Sequence, residues 1–214
     1  MFRLLKSRRR GAEIVFKVEP LIAAIKGEVL DQYQVDMARV FIVNEDGRGK
    51  YLIQEPSLDE EELEIYNLLM EKLYFSLKPI KQVEDPAKYV EDYIWTAAEE
   101  SGIIDEVEKS FQKYKYFISR DAFGYGIVNV PMLDEDVEEI SCEGYGRPVA
   151  VIHRRFTEFD WLDTNIVFKS EEELRAFVQR LANKVGKNVT TAIPLLCSYP
   201  VLKDLLHKNG RSFR

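Results

Sequence analysis

Apolar residues recur along the chain with two different periods, and the change of period divides it into segments. Residues 39–43 and 50–54 read as two strands and enclose Glu45-Asp46-Gly47-Arg48-Gly49, whose glycines supply the positive φ that a hairpin loop of this length requires. Residues 14–30 are apolar enough to pack, but their period is mixed and their class stays open. Ser57 followed by Glu60 forms a capping-box pattern, after which Leu58, Ile65, Leu68, Leu69, Leu73 and Leu77 keep helical spacing up to Pro79. Asp85-Pro86 supplies an N-cap and a proline at the first helical position. Tyr89, Val90, Tyr93, Ile94, Ala97 and Ala98 then make one stripe, which Ser101-Gly102 ends. A third stripe, Ile104, Val107, Phe111, Tyr114 and Ile118, runs to Arg120, so residues 57–120 are expected to form a small three-helix bundle.

After Asp121 glycines and β-branched residues replace the helical pattern. Residues 137–142, 148–153 and 165–168 read as strands, and Ser170 with Glu173 as the capping box of a helix carrying Leu174, Phe177, Val178, Leu181 and Val185. Gly186 stands where a left-handed C-cap belongs, residues 188–191 read as a last strand and residues 201–207 as a short final helix. The expected organisation is a basic tail and N-terminal α/β segment over 1–56, a three-helix region over 57–122, an α/β domain over 123–194 and a C-terminal tail over 195–214.

The 214 residues, 46% of them hydrophobic, suffice for a core held by packing alone. A net charge of −7 argues against a broad basic face for duplex DNA, so nucleic acid is not an expected partner. Cys142 and Cys197 sit in apolar or strand-like contexts and read as buried reduced thiols of an intracellular chain. No apolar run approaches the ~20 residues of a membrane span, and MFRLLKSRRRG lacks the apolar stretch of a signal peptide, so a cytoplasmic location is expected. Arg3, Lys6, Arg8, Arg9 and Arg10 give the first ten residues a charge opposite to that of the rest. They read as a solvated tail or as a docking element for an anionic membrane surface or an acidic partner.

Few residues suggest chemistry. Gly124-Tyr125-Gly126 lacks the third glycine of a dinucleotide loop, Asn129 standing there, and no GxxxxGK[ST] sequence occurs. His153 and His207 lie at no metal-ligand spacing, so no metal is expected. Ser141, Cys142 and Ser170 have no local base to activate them. Arg154-Arg155, directly after a strand, is different. At least one of the two guanidiniums must face solvent or a partner, and arginine is the side chain suited to bidentate phosphate contacts.

The run Asp134-x-x-Val137-Glu138-Glu139-Ile140-Ser141-Cys142, then Gly144, His153-Arg154-Arg155-Phe156, Thr164-Asn165-Ile166-Val167-Phe168, Ser170-Glu171-Glu172-Glu173-Leu174, Arg180-Leu181-Ala182, Gly186 and Pro194 resembles the N-terminal region of the type II/IV secretion ATPases, above all the archaeal pilus and archaellum branch. The resemblance covers residues 123–194. It implies an α+β fold, an N-terminal hairpin and three-helix region followed by a small α/β, PAS-like domain. It also implies a module that works in a hexamer beside a RecA-like motor, the motor lying on another chain or missing through truncation. Arg154 and Arg155 would then approach the nucleotide phosphates, and Arg180 would serve the subunit interface. Without a Walker sequence the chain is expected to be inactive alone and to need no cofactor, ATP and Mg entering only with a motor domain. The implied partners are that motor, a membrane-embedded platform protein and an anionic membrane surface, with the chain peripheral at the inner face of the membrane. The alternative is a stand-alone adaptor or sensor that binds a protein or small ligand.

Overall fold

The computed structural model describes residues 18–76 and 85–184, and the fold is α+β. In chain order the elements are β1 (Glu28–Val35), β2 (Ala38–Glu45), β3 (Arg48–Gln54), α1 (Glu60–Ser76), α2 (Pro86–Ser101), α3 (Ile104–Ile118), α4 (Asn129–Leu133), β4 (Val137–Ser141), β5 (Pro148–His153), β6 (Leu162–Val167) and α5 (Glu171–Lys184). A π-helical turn, Ser119–Phe123, and a 3₁₀ turn, Gly126–Val128, join α3 to α4. The expected C-cap at Gly186, the strand at 188–191, the helix at 201–207, the basic tail and Cys197 lie outside the described residues.

All six strands form one sheet in the order β1-β2-β3-β6-β5-β4. Its pairs are antiparallel except β3–β6, which run parallel, with Lys50 opposite Asp163 and Tyr51 opposite Thr164. Asn165 extends this short ladder with its side chain, its amide accepting from the Ile53 N–H at 2.9 Å and donating to the Ile53 carbonyl at 2.8 Å. The β2–β3 turn is tighter than the sequence suggests: Glu45 pairs with Arg48, leaving Asp46 and Gly47, both at positive φ, as the two-residue loop. Gly49 belongs to β3 instead, where a Cβ would come within 2.6 Å of the Phe159 ring, so glycine lets the β5–β6 connection lie on the strand.

Period-two alternation turns Ala38, Val40 and Ile42 of β2 and Val149, Val151 and His153 of β5 into one core, which α4 and α5 cover through Val130, Leu174, Phe177 and Leu181. A second core holds the three helices together, with Leu69, Leu73, Val90, Ile94, Val107 and Phe117 at its centre. The α2 boundaries follow the local signals: the Asp85 carboxylate accepts from the N–H groups of Ala87 and Lys88, and Gly102 takes the left-handed C-cap. At α1 the capping box is two residues later than expected, because Asp59 and Glu62 exchange reciprocal side-chain to backbone bonds at 2.9 Å. At α5 the Ser170 hydroxyl accepts from the Glu173 N–H, and the Glu173 carboxylate reaches back to Lys169. Among the described residues no helix is long and apolar enough to cross a membrane.

Candidate functional site

Tyr33 in β1 and His153 in β5 are four strands apart, roughly 19 Å in a flat sheet. Yet the Tyr33 hydroxyl and His153 Nε2 are 2.9 Å apart. The sheet therefore curls until its two halves face each other, and polar side chains fill the gap. Tyr33 and Tyr51 both donate to Asp134 Oδ2, at 2.6 and 2.7 Å, and the Asp136 N–H donates to Asp134 Oδ1 at 2.9 Å. The Arg155 N–H points to His153 Nδ1 at 3.3 Å, which makes Nδ1 the acceptor. Nε2 is then the protonated nitrogen, and the bonds run in one direction, from His153 to Tyr33 to Asp134.

Burial pushes His153 below the ordinary imidazole value, and the Arg155 cation acts the same way, while the carboxylates of Asp134, Asp136 and Asp31 oppose both. Burial and the Asp134 carboxylate push Tyr33 and Tyr51 well above the ordinary phenol value, so both hydroxyls stay protonated donors. Asp134, Asp136 and His153 bring ligand atoms within 4.8 Å of one another. A cation there would have to displace two tyrosine donors and the Arg155 guanidinium, so the arrangement fits an ordered hydrogen-bond network better than a metal centre.

The histidine leaves a pH signature. Its folded pKa lies below the unfolded value of about 6.5, so its neutral form is fully accommodated above that pH, and stability is lost as the pH falls from there through the folded value. The urea midpoint is expected to drop between pH 7.5 and 5.5, and the drop to shrink in His153→Gln. An equal drop in the variant would assign the effect to other groups.

The β5 end presents the arginine pair unequally. Arg155 Nε lies 2.7 Å from Asp136, its Nη1 lies 2.8 Å from Asp31, and its guanidinium sits 5.0 Å over the Tyr33 ring. Arg154 makes two looser ion pairs, with Glu138 at 3.8 Å and Asp136 at 3.9 Å, and its side chain is 54% exposed. Arg155 thus pins the turn to the network, and Arg154 projects from it.

Arg180 lies elsewhere, on α5. It lines a groove of about 680 Å³ between the end of α1, the π-helical turn and α5, with Met70, Leu73, Ile127, Phe168 and Phe177 among its walls; neither Arg154 nor Arg155 borders it. Arg180 Nη1 donates to the Asp121 carbonyl at 3.2 Å, and Gly126 beneath it holds φ +58°. The glycine pair of residues 124–126 is thus explained by packing: a Cβ on Gly124 would meet Asn129 Oδ1 at 2.5 Å.

At the groove floor lies a second buried ionic cluster that the sequence did not reveal. Arg120 donates to Glu55 Oε2 through Nη1 at 2.6 Å and to the two Asp121 oxygens through Nε and Nη2 at 2.7 and 3.1 Å. Tyr116 and the Leu21 N–H complete Glu55, and Tyr66 completes Asp121. Burial alone would lower the Arg120 pKa, but Asp121 and Glu55 beside it hold it above the ordinary value. The cluster ties the strand end after β3 to α1, α3 and the π-helical turn.

No family model matches the chain. The protein MJ1288 of Methanocaldococcus jannaschii, described as uncharacterized, is 31% identical over 199 residues, which cover 89% of this chain and 77% of that protein. MJ0781 of the same organism, also described as uncharacterized, is 24% identical over 177 residues, which are 80% of this chain but 23% of that protein. The chain therefore matches less than a quarter of the longer relative.

Proposed function

We propose a function for a chain that belongs to the family of the archaeal protein MJ1288: it is a non-catalytic N-terminal module of a type II/IV secretion ATPase, of the pilus or archaellum kind, and it lends an arginine to a RecA-like motor. The observation that carries the reading is the unequal pair at the β5 end, where Arg155 is clamped by Asp31 and Asp136 at 2.8 and 2.7 Å while the half-exposed Arg154 is held only loosely, by Glu138 at 3.8 Å and Asp136 at 3.9 Å. A guanidinium held out in this way suits a phosphate on a neighbouring domain, and trans-acting arginines raise phosphoryl-transfer rates by roughly 10³–10⁵. The match to a 23% portion of MJ0781 supports a module that also occurs within a longer chain. The basic residues Arg3, Lys6, Arg8, Arg9 and Arg10 would bring the assembly to an anionic membrane surface or its platform protein, and ATP and Mg would be the motor's. A second reading, an adaptor or sensor for a protein or small ligand, draws on the groove around Arg180.

The test is Mg-ATP turnover by a secretion-ATPase motor from the same genome, alone and with this chain. The chain alone is expected to hydrolyse nothing, to bind the motor and to stimulate it, and Arg154→Ala is expected to cut the stimulated rate by about tenfold or more without weakening binding. Turnover by the chain alone, or stimulation unchanged in Arg154→Ala, would overturn the proposal.

A further inference from the structure

The neutral ring of His153 satisfies both of its nitrogens. It is fully buried, with the rings of Phe156, Tyr33 and Tyr51 at 5.2, 6.1 and 6.3 Å. Nε2 meets the Tyr33 hydroxyl at 2.9 Å, and Nδ1 accepts from the Arg155 N–H at 3.3 Å. The turn that follows is otherwise tied to backbone: the Phe156 N–H donates to the His153 carbonyl at 3.1 Å and the Arg154 N–H to the Asp136 carbonyl at 2.9 Å. Of these three N–H groups, that of Arg155 depends on the imidazole.

We propose that protonation of His153 is a switch that displaces the turn carrying Arg154 and Arg155. The added proton sits on Nδ1 and sets two donors against each other, the imidazolium N–H and the Arg155 N–H. Turning the ring away would break its bond to Tyr33, so the turn gives way instead, and with it the Arg155 guanidinium that holds Asp31 of β1. Charge does not oppose the proton. Facing His153 and its turn are Asp31 and Tyr33 from β1, Tyr51 from β3, Asp134 and Asp136 from the α4–β4 connection, Glu138 from β4, and Arg154 and Arg155 themselves. The tyrosines are neutral, so four carboxylates face two guanidiniums, and an imidazolium brings the set nearer to neutrality. The conflict is thus confined to one N–H and moves a turn without unpairing the sheet. Burial and Arg155 place the titration below the ordinary value of about 6.5. The switch belongs to the chain by itself; only its effect on a phosphate met by Arg154 rests on the reading above.

The experiment follows the full chain by heteronuclear NMR from pH 7.5 to 5.5. At the upper pH the His153 ring is expected in its Nε2–H form. As it titrates, the Arg154 and Arg155 amide signals should move with the same midpoint, while those of the buried Val90 and Ile94 in α2 hold still. Exchange of the Arg155 N–H, corrected for its intrinsic pH dependence, should speed up by about fivefold. His153→Gln, which keeps a polar but uncharged side chain, is expected to abolish both changes. If that variant fails to fold, the shared midpoint in the native chain decides, with His207→Gln leaving a single histidine signal to follow. An Nδ1–H ring at pH 7.5, midpoints that differ, or changes that persist in His153→Gln overturn the proposal. Movement of α2 together with the turn also overturns it, by showing general unfolding.

Discussion

Replacing Arg120 with methionine is expected to cost about 3–5 kcal/mol of folding stability, because it leaves two carboxylates short of their counter-charge inside the protein. Glu55 and Arg120 are each 2% exposed, so water cannot take over the lost bonds without opening the joint between the sheet and the helices. Methionine keeps much of the arginine stem's volume, which confines the loss to charge and hydrogen bonding. Urea unfolding monitored by circular dichroism measures it, with an unchanged denaturant slope showing that the transition is the same one. A loss below about 1 kcal/mol would mean that the cluster is wet and adds no more than a surface pair. Tyr116→Phe, which removes one donor to Glu55 and leaves the charges paired, should cost only about 1 kcal/mol.

The second large effect is expected at Asp134. Alanine there strands three donors at once, the Tyr33 and Tyr51 hydroxyls and the Asp136 N–H, and the expected loss is about 2–4 kcal/mol. The mechanism can be isolated. In a Tyr33→Phe, Tyr51→Phe background two of the donors are already gone, so Asp134→Ala should cost markedly less than in the native chain. Equal costs in the two backgrounds would show that Asp134 acts through something other than these hydroxyls.

What could be read from the sequence was local. The α2 stripe from Val90 to Ala98 lies buried between the caps that Asp85 and Gly102 announce, because a helix and its ends are decided within a few residues. The edge strand β1 escaped notice. Val29 and Leu30 are adjacent and Asp31 follows them, so no clean alternation runs through it, and an exposed edge needs little apolar content to pair. β6 begins at Leu162, three residues before the expected start, since Leu162, Thr164 and Ile166 are the positions turned inward. Nothing beside His153 in the sequence marks it beyond the lack of metal-ligand spacing. Its role depends on Tyr33 and Asp134, which lie 120 and 19 positions away and meet it only because the sheet curls. The same distance hid Glu55 and Arg120, 65 residues apart. Arg154 and Arg155 were visible as a pair, but only Asp31 and Asp136 determine which of them is held.

The parallel pairing of β3 with β6 has a kinetic consequence. Lys50 and Asp163 are 113 residues apart, and everything between them, the whole helical unit included, hangs as one loop from that ladder. Closing so long a loop costs entropy before the few contacts of the ladder repay it, which favours a late closure and refolding in milliseconds to seconds. The helices pack through near neighbours and can assemble first, drawing the two strand ends together as they do. The Glu55–Arg120 bond then acts as the latch, fixing the exit from β3 to the far end of α3 while the remaining half of the sheet is still unpaired.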